Sequence, residues 1–282
     1  MTPQHPFMEP DEPMMIGRYL LLYRIATGAT GYVYAADDPT LGRRVALKVI
    51  ARDLADDPEA RERFHREARI TLQLRHPNIV QVLEVGQDRG RPFIAMELLE
   101  GLALDEHLRE RADLSLEARL DLIIQLCTGL EVAHAEGVVH RDVKPTNIMV
   151  QGDGRLKILD FGLARLHTST LTANGAVVGS SGYMSPEQAE GRRVDERSDI
   201  FSAAAVGYLI LSGRAPFGAR NLPLALHAIL HEAPAPLAPS EAPEPLARVL
   251  FKALEKSPHV RYQTCGTFLA DLRRALTRVI RP

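Results

Sequence analysis

The spacing of hydrophobic and polar positions changes near Glu100-Gly101. Before this point, residues 19–50 have the pattern of a strand, a turn and two further strands, and residues 79–85 and 93–98 are alternating or continuously apolar, as strands are. Residues 61–74 have the spacing of an amphipathic helix. These elements predict a small β-rich lobe with one main helix.

Helical periodicity dominates the rest of the chain. The pattern at 116–136 predicts a long helix, whose apolar face consists of Leu120, Ile123, Ile124, Cys127 and Leu130. The longest apolar run, at 200–211, is too short to span a membrane and predicts a buried helix. Residues 231–245 are rich in Pro and Ala and predict a loop between helices.

Together these patterns predict an α+β fold in four consecutive parts. A flexible, Pro- and Met-rich tail at 1–17 precedes a small lobe at 18–99. A larger, mostly helical lobe follows at 100–278. Residues 279–282 are the C-terminal end, which we interpret as the possible start of a linker.

Composition and charge narrow the function classes. The 282 residues suffice for one large two-lobed domain with a developed core. A net charge of -2 gives no reason to expect nucleic-acid binding. Cys127 and Cys265 lack the spacing of metal ligands, which favours a reduced, cytoplasmic compartment. We expect no membrane span and no signal peptide in this sequence. An alternative is that the chain is the cytoplasmic domain of a longer membrane-anchored protein.

The candidate chemistry lies in two short motifs, His140-Arg141-Asp142-Val143-Lys144-Pro145-Thr146-Asn147 and Asp160-Phe161-Gly162. Asp142 can accept or orient the proton of an attacking hydroxyl, and Lys144 can neutralise a phosphoryl group in transfer. Asn147 and Asp160 can hold Mg²⁺, with Mn²⁺ as the alternative. Phosphoryl transfer from ATP needs these groups together, because its transition state spreads charge over the phosphoryl oxygens.

Each motif alone is weak evidence, since the first tripeptide is common and the second is an ordinary turn after a strand. Their order and short separation favour chemistry over coincidence. Three further segments accompany them: Val45-Ala46-Leu47-Lys48, Glu67 on a charged helical stretch, and Ser185-Pro186-Glu187. On these residues the chain resembles the protein kinases from about Arg18 to about Leu276, and "GYMSPEQ" resembles their bacterial, eukaryotic-like Ser/Thr branch.

The resemblance implies a two-lobed protein kinase fold and a defined reaction. A Ser/Thr protein kinase transfers the γ-phosphoryl group of Mg-ATP to protein hydroxyls, and the position of Lys144 after Asp142 is typical of Ser/Thr-directed members. Protein substrates are therefore the implied partners. Autophosphorylation of the activation segment is expected, and a homodimer through the small lobe is a further option that relatives suggest.

The loop at 25–33 resembles the glycine-rich loop that covers the ATP phosphates. The implied contact residues are Ile25, Ala26, Gly28, Gly31 and Val33. Ala26 stands where the family has its first glycine, and this departure puts nucleotide affinity in doubt. A simple hairpin turn is the alternative interpretation.

The resemblance also implies the remaining nucleotide contacts. Lys48 would pair with Glu67 and reach the α- and β-phosphates, although an exposed edge lysine and a solvated helix carboxylate are the alternatives. The adenine pocket would be lined by Val33, Ala46, Met96 and Met149, with backbone hydrogen bonds from Glu97 and Leu99. Each apolar member of this set is equally compatible with an ordinary core position.

The activation segment between Asp160 and Glu187 contains candidate phosphorylation sites. Thr172 is the first choice and Thr170 the second, and the predicted phosphate-receiving cluster consists of Arg63, Arg141 and Arg165. A polar loop without this role is the alternative. The resemblance implies two structural roles as well: Glu187 pairs with Arg261, and Asp199 braces the catalytic loop.

Two other functions compete with an active protein kinase. A pseudokinase would bind partners or nucleotide without efficient transfer, and its only support is Ala26 together with Ala204, where the family often has glycine. A small-molecule kinase of related fold is the other, and the segment ending in Ser185-Pro186-Glu187 argues against it because that segment builds a peptide-docking surface.

Overall fold

The structure is a computed structural model that describes residues 14–28, 31–51, 62, 64, 68, 70–161, 181–218 and 221–280. These residues divide into two compact units. One contains the described residues up to 65 together with 82–98, and the other contains those within 66–81 and from 99 onward. None of the helices in these ranges is long and apolar enough to cross a membrane.

The first unit is built on a six-stranded antiparallel sheet with the order β1-β2-β3-β4-β6-β5. The strands are β1 (Met15–Ile16), β2 (Tyr19–Gly28), β3 (Gly31–Asp38), β4 (Arg43–Ile50), β5 (Val82–Asp88) and β6 (Arg91–Glu97). One face of the sheet buries Val45, Leu47 and Val49 of β4 against Phe93. The alternate residues of β4 therefore lie on the opposite face, which carries the candidate nucleotide contacts.

The strand expected at 79–85 lies further along the chain, at Val82–Asp88. Ile79 instead forms a parallel bridge with Ile158 in the second unit, because the backbone groups of residues 78–80 pair with that strand. Within β5, Gly86 leaves room for the Phe93 ring on β6, since a Cβ there would lie 2.4 Å from that ring. The apolar run was therefore a correct sign of burial but a wrong guide to the strand boundary.

The second unit is mostly helical. It contains β7 (Gly101–Ala103), α1 (Leu104–Glu110), α2 (Leu116–Ala135), β8 (Ile148–Gln151), β9 (Leu156–Ile158), α3 (Pro186–Ala189), α4 (Glu196–Ser212), α5 (Leu222–His231), α6 (Glu244–Ala253) and α7 (Cys265–Ile280). Strands β7, β8 and β9 form a small antiparallel sheet. The α5 and α6 bounds confirm the loop predicted between these helices at 231–245.

The core of the second unit forms around α2 and α4. Four of the five predicted apolar positions of α2 are fully buried, whereas Ile124 is only partly buried at the edge of the same core. The predicted buried helix is α4, and Gly207 on it brings the backbone close to Leu250 and Ile123. Cys127 and Cys265 are both buried free thiols in this core.

A buried ion pair ties α3 to the loop before α7. The Glu187 carboxylate accepts two hydrogen bonds from the Arg261 guanidinium, at 2.7 and 2.8 Å, and a third from the Ser198 hydroxyl. This confirms the pairing expected from the sequence. Burial alone would raise the pKa of Glu187, but the hydrogen bonds from Arg261 and Ser198 outweigh it, so the pKa lies below its usual range.

Replacing Arg261 by Met should destabilise the protein by about 3–5 kcal/mol, because the Glu187 charge would be left buried and unpaired. Urea unfolding followed by circular dichroism measures this. Arg248→Met is the matched control, since Arg248 pairs with Glu244 on the exposed face of α6 and its loss should change the unfolding free energy very little. Equal effects of the two substitutions would contradict the assigned role of the buried pair.

The same pair has a pH signature in the variant Glu187→Gln. A carboxyl whose pKa is lowered on folding adds stability above its ordinary pKa of 4.5, and this is lost as the pH falls through the folded-state value. The difference in stability between wild type and variant should therefore be full at neutral pH and shrink in acid. A difference that does not vary with pH would refute this origin.

Candidate active site

The first motif folds into a short segment that fixes one carboxylate. Residues Pro145–Asn147 form a 3-10 turn directly before β8. The turn brings the Asn147 side-chain Nδ2 to 2.8 Å from Asp142 Oδ2, and the Lys144 Nζ lies 2.7 Å from the same oxygen. Both contacts fall on Oδ2, and neither of them occupies Oδ1. The Asp142 side chain is 37% exposed, which lets an incoming hydroxyl reach it.

A buried carboxylate on α4 holds the backbone before Asp142. Asp199 is 1% exposed and accepts hydrogen bonds of 2.7 Å from the backbone N–H groups of His140 and Arg141. The ring of His134 contacts it at 2.8 Å through Nε2. The bracing role expected for Asp199 is therefore confirmed, and His134 is an additional partner that the motifs did not indicate.

Arg141 has a strained backbone conformation. Its φ is +68°, in the left-handed region that a residue with a Cβ adopts at a cost of about 1–3 kcal/mol. The bond from its N–H to Asp199 and a 2.6 Å bond from the Gln188 side chain to its carbonyl hold this conformation. Gln188 lies on α3, so the segment around Ser185 supports the catalytic motif. Sequence reasoning did not identify Gln188.

His140 links the two motifs. Its Nδ1 accepts a hydrogen bond from the Asp142 N–H, so the proton of the neutral ring is on Nε2, which donates to the Leu159 carbonyl at 2.7 Å. The ring also packs edge-on against Phe161. In the sequence, only the position of His140 at the start of the first motif pointed to this linking role. Its hydrogen-bond partners can be identified only from the fold.

The residue before Asp160 is tied back to Asn147. The Leu159 N–H donates to the Asn147 carbonyl at 2.9 Å. Asp160 itself has φ +55°, a second non-glycine residue in the left-handed region. The structure therefore brings the segments of both predicted metal-binding side chains together within one unit.

The donor set fits a hard divalent cation. The Asn147 amide uses Nδ2 to bind Asp142, which turns its oxygen the other way, and Asp160 supplies a carboxylate. Within the described part of the chain, His, Cys, Asp and Glu form no group of three or more able to hold a metal ion. Amide and carboxylate oxygens are ligands that suit Mg²⁺, which keeps waters and substrate phosphates as its other ligands.

The first unit presents the predicted nucleotide contacts on one face of its sheet. Lys48 lies opposite Val33, and Ala46 lies opposite Met96. Directly paired residues share a face, and so do positions two apart on a strand, so these four side chains face the same side. Lys48 is buried on that face rather than being an exposed edge lysine.

The two halves of the glycine-rich loop differ in whether the fold requires glycine there. Gly31 has φ +147°, and a Cβ on it would lie 2.0 Å from the Val49 carbonyl oxygen, so glycine is needed there for the hairpin to pack on β4. Ala26 pairs with Val33 and is not among the described residues with positive φ. A methyl group at Ala26 therefore causes no backbone strain. Among the described residues, the Gly31 carbonyl oxygen lies nearest to a Cβ built on Gly28, at 3.8 Å.

The remaining predicted site residues are distributed as follows. Ile25 is exposed on β2, and Glu97 ends β6, both in the first unit. Leu99 and Met149 belong to the second unit, where Met149 pairs with Lys157 between β8 and β9. Five predicted residues lie outside the described part of the chain, namely Arg63, Glu67, Arg165, Thr170 and Thr172. The Lys48–Glu67 pair and the phosphate-receiving cluster therefore stay predictions.

Sequence comparison places this geometry among known proteins. Residues 19–270 match the family described as protein kinase domain. The chain is 40% identical over 272 residues to the serine/threonine-protein kinase PknA of Mycobacterium tuberculosis, covering 94% of this chain and 63% of PknA. It is 37% identical over 263 residues to PrkC of Bacillus subtilis, covering 92% of this chain and 40% of PrkC. The chain thus spans less than two thirds of these relatives.

Structural comparison gives the same assignment. The kinase domain of PknI from Mycobacterium tuberculosis superposes with a TM-score of 0.75 at 27% identity, over 95% of this chain and all of that domain. Members of this family use ATP and a divalent metal ion and act on proteins. With residues 19–270 matching the family, and with the expected fold present, the chain belongs to the protein kinase domain family.

Proposed function

We propose that this chain is the catalytic domain of a Ser/Thr protein kinase. It transfers the γ-phosphoryl group of ATP to a serine or threonine hydroxyl of a protein, with Mg²⁺ as the metal ion and Mn²⁺ as a substitute. The observation that carries the proposal is the arrangement at Asp142, whose Oδ2 is held by Lys144 and Asn147 through contacts that do not occupy Oδ1.

The reaction follows from these positions. The substrate hydroxyl donates its hydrogen bond to Asp142, which orients the oxygen toward the γ-phosphorus and takes up the proton as the new P–O bond forms. The bond from the γ-phosphorus to the bridging oxygen breaks, and ADP leaves with that electron pair. Lys144 offsets the negative charge of the transferred group. Asn147 and Asp160 would hold the metal ion, which supplies charge neutralisation at the phosphates.

The nucleotide contacts complete the proposal. Lys48, oriented by Glu67, binds the α- and β-phosphates, and Val33, Ala46 and Met96 supply an apolar surface for adenine. Support comes from their common face on the sheet of the first unit. Phosphorylation of the chain's own Thr170 or Thr172 is the proposed activating step, with Arg63, Arg141 and Arg165 receiving the phosphate. A cytoplasmic location and a homodimer remain proposals of the same kind.

The pseudokinase alternative has little support. It depended on Ala26 and Ala204, and neither position has a positive φ. Ala26 pairs with Val33 just after a register shift in β2, and Ala204 is a fully buried helix residue in the core. The residues that perform transfer are all present in the sequence. An active enzyme is therefore the better interpretation.

Replacing Asp142 by Asn should lower kcat about 10²- to 10⁴-fold, because the amide cannot take up the hydroxyl proton. Nucleotide affinity should change little, since Asp142 acts on the acceptor. Mass spectrometry of the tag-free protein after incubation with Mg-ATP, with a general protein substrate present, measures both self- and substrate phosphorylation. Asp153→Asn, on the exposed turn between β8 and β9, is the matched control. Full activity of Asp142→Asn would refute the assignment.

Replacing Asp199 by Asn tests the brace apart from the chemistry. The amide offers one acceptor oxygen instead of two, and its NH₂ group would face one of the two N–H groups that Asp199 now binds. We expect kcat to fall about 10- to 100-fold, which corresponds to the loss of a charge-assisted hydrogen bond. The KM for ATP should stay nearly constant. A rise in the KM for ATP with an unchanged kcat would show that Asp199 does not act through the catalytic loop.

Two substitutions separate the roles of the loop residues. Ala26→Gly should leave the Kd for ATP within about threefold, because the alanine fits its strand conformation. Gly31→Ala should lower both thermal stability and ATP affinity, because its Cβ would clash with the Val49 carbonyl. Isothermal titration calorimetry and thermal unfolding measure the two properties. A large gain of affinity or activity in Ala26→Gly would instead favour the pseudokinase alternative for the wild type.

A further inference from the structure

Helix α5 exposes two histidines one turn apart. Its inner face buries Ala225, Ala228 and Ile229 in the second unit. His227 and His231 lie on the outer face, and both are exposed. Residues four apart on a helix are neighbours on its surface, so the two imidazoles can act on the same small ligand.

The distance between the rings suits one shared metal ion. Their centroids are 5.0 Å apart with an interplanar angle of 59°. With a Zn–N bond of about 2.1 Å and a ring nitrogen about 1.2 Å from its centroid, two imidazoles on one ion have centroids about 4.7–5.4 Å apart for ligand angles between about 90° and 109°. The rings therefore already have the separation of a chelating pair.

Glu232 sets the ring nitrogen that would bind. Its Oε1 lies 3.3 Å from His227 Nδ1, so this nitrogen carries the proton and donates to the carboxylate. Nε2 of His227 is then left with its lone pair for a metal ion. A carboxylate on the far side of a ligating imidazole is the usual second partner of a histidine metal ligand, because it fixes the tautomer and increases basicity.

Hydrogen bonds hold the last turn of α5 in its helical conformation, which keeps His227 and His231 on the same side of the helix. The Glu232 N–H donates to the Ala228 carbonyl at 3.0 Å, and the Lys256 Nζ donates to the carbonyls of Ala228 and Ile229 at 3.1 and 2.6 Å. Helix ends usually fray because their final carbonyls lack partners. Here Lys256 supplies the partner, so His231 is presented from an ordered turn.

We propose that His227 and His231 form a surface chelate for a transition-metal ion of the zinc class. Glu232 orients His227, and water fills the remaining coordination positions, since within the described ranges no third His, Cys, Asp or Glu joins the two imidazoles as a ligand. Neutral imidazole nitrogens prefer Zn²⁺, Ni²⁺ and Cu²⁺ over the Mg²⁺ used in phosphoryl transfer. The site is thus chemically separate from the proposed catalytic one and does not depend on it.

Titration calorimetry of tag-free protein with ZnCl₂, in a buffer free of phosphate and nucleotide, tests the proposal. We expect His227→Asn and His231→Asn each to weaken binding about tenfold or more, and Glu232→Gln to weaken it by up to about tenfold. His259→Asn is the matched control, because His259 is an exposed histidine outside α5. Wild-type affinity in the double variant His227→Asn/His231→Asn would overturn the proposal, as would the absence of Zn²⁺ binding by the wild type.

Thermal unfolding gives a second readout that does not rely on activity. Zn²⁺ binding to the folded chain should raise the Tm of the wild type and of the Asp142→Asn variant alike. It should leave the Tm of the double histidine variant unchanged. Equal shifts in the wild type and the double variant would overturn the assignment to α5. Failure of Asp142→Asn to lose kinase activity would bear on the proposed reaction alone.

Discussion

The Asp199 carboxylate is the interaction on which the catalytic segment depends. It comes from α4, the most deeply buried helix of the second unit, and so is held by the core. Backbone N–H groups in a loop need acceptors when they are buried, and two of them here share one carboxylate. Because charge-assisted hydrogen bonds are strong, they can offset the cost of the left-handed conformation at Arg141.

A continuous set of hydrogen bonds leads from this brace to the candidate metal ligands. The backbone N–H of His140 binds Asp199, and its ring Nε2–H donates a hydrogen bond to the Leu159 carbonyl. The Leu159 N–H in turn donates to the Asn147 carbonyl. Asn147 then returns to Asp142 through its side chain. Each group in this set has a defined donor or acceptor role, so a change at one position alters the orientation of the next. The two sequence motifs are therefore one structural unit, although 11 residues lie between Asn147 and Leu159.

The sequence indicated the fold class, the order of elements and the Glu187–Arg261 pair, because these follow from periodicity and from family motifs. It also predicted that Val33, Ala46, Lys48 and Met96 contact the same nucleotide, and the strand register puts these four residues on one face of the sheet. It did not indicate Gln188, the tautomer of His140 or the bridge of Ile79 to β9. Those depend on contacts between residues distant in sequence. Apolar character at Ile79 signals burial equally well for a strand or for an isolated bridge.

The glycine-rich loop shows why a motif position need not mean what its family role suggests. A glycine can be retained because backbone must approach a phosphate, or because the fold leaves no room for a Cβ. At Gly31 the second reason is sufficient, since the Val49 carbonyl occupies the space. At Ala26 neither strain nor close approach to a neighbouring strand operates, so a methyl group there is compatible with the hairpin. Loss of a motif glycine therefore disturbs the hairpin only where the backbone conformation or the space requires glycine, and its effect on ATP affinity is a separate question that depends on the approach to the phosphates.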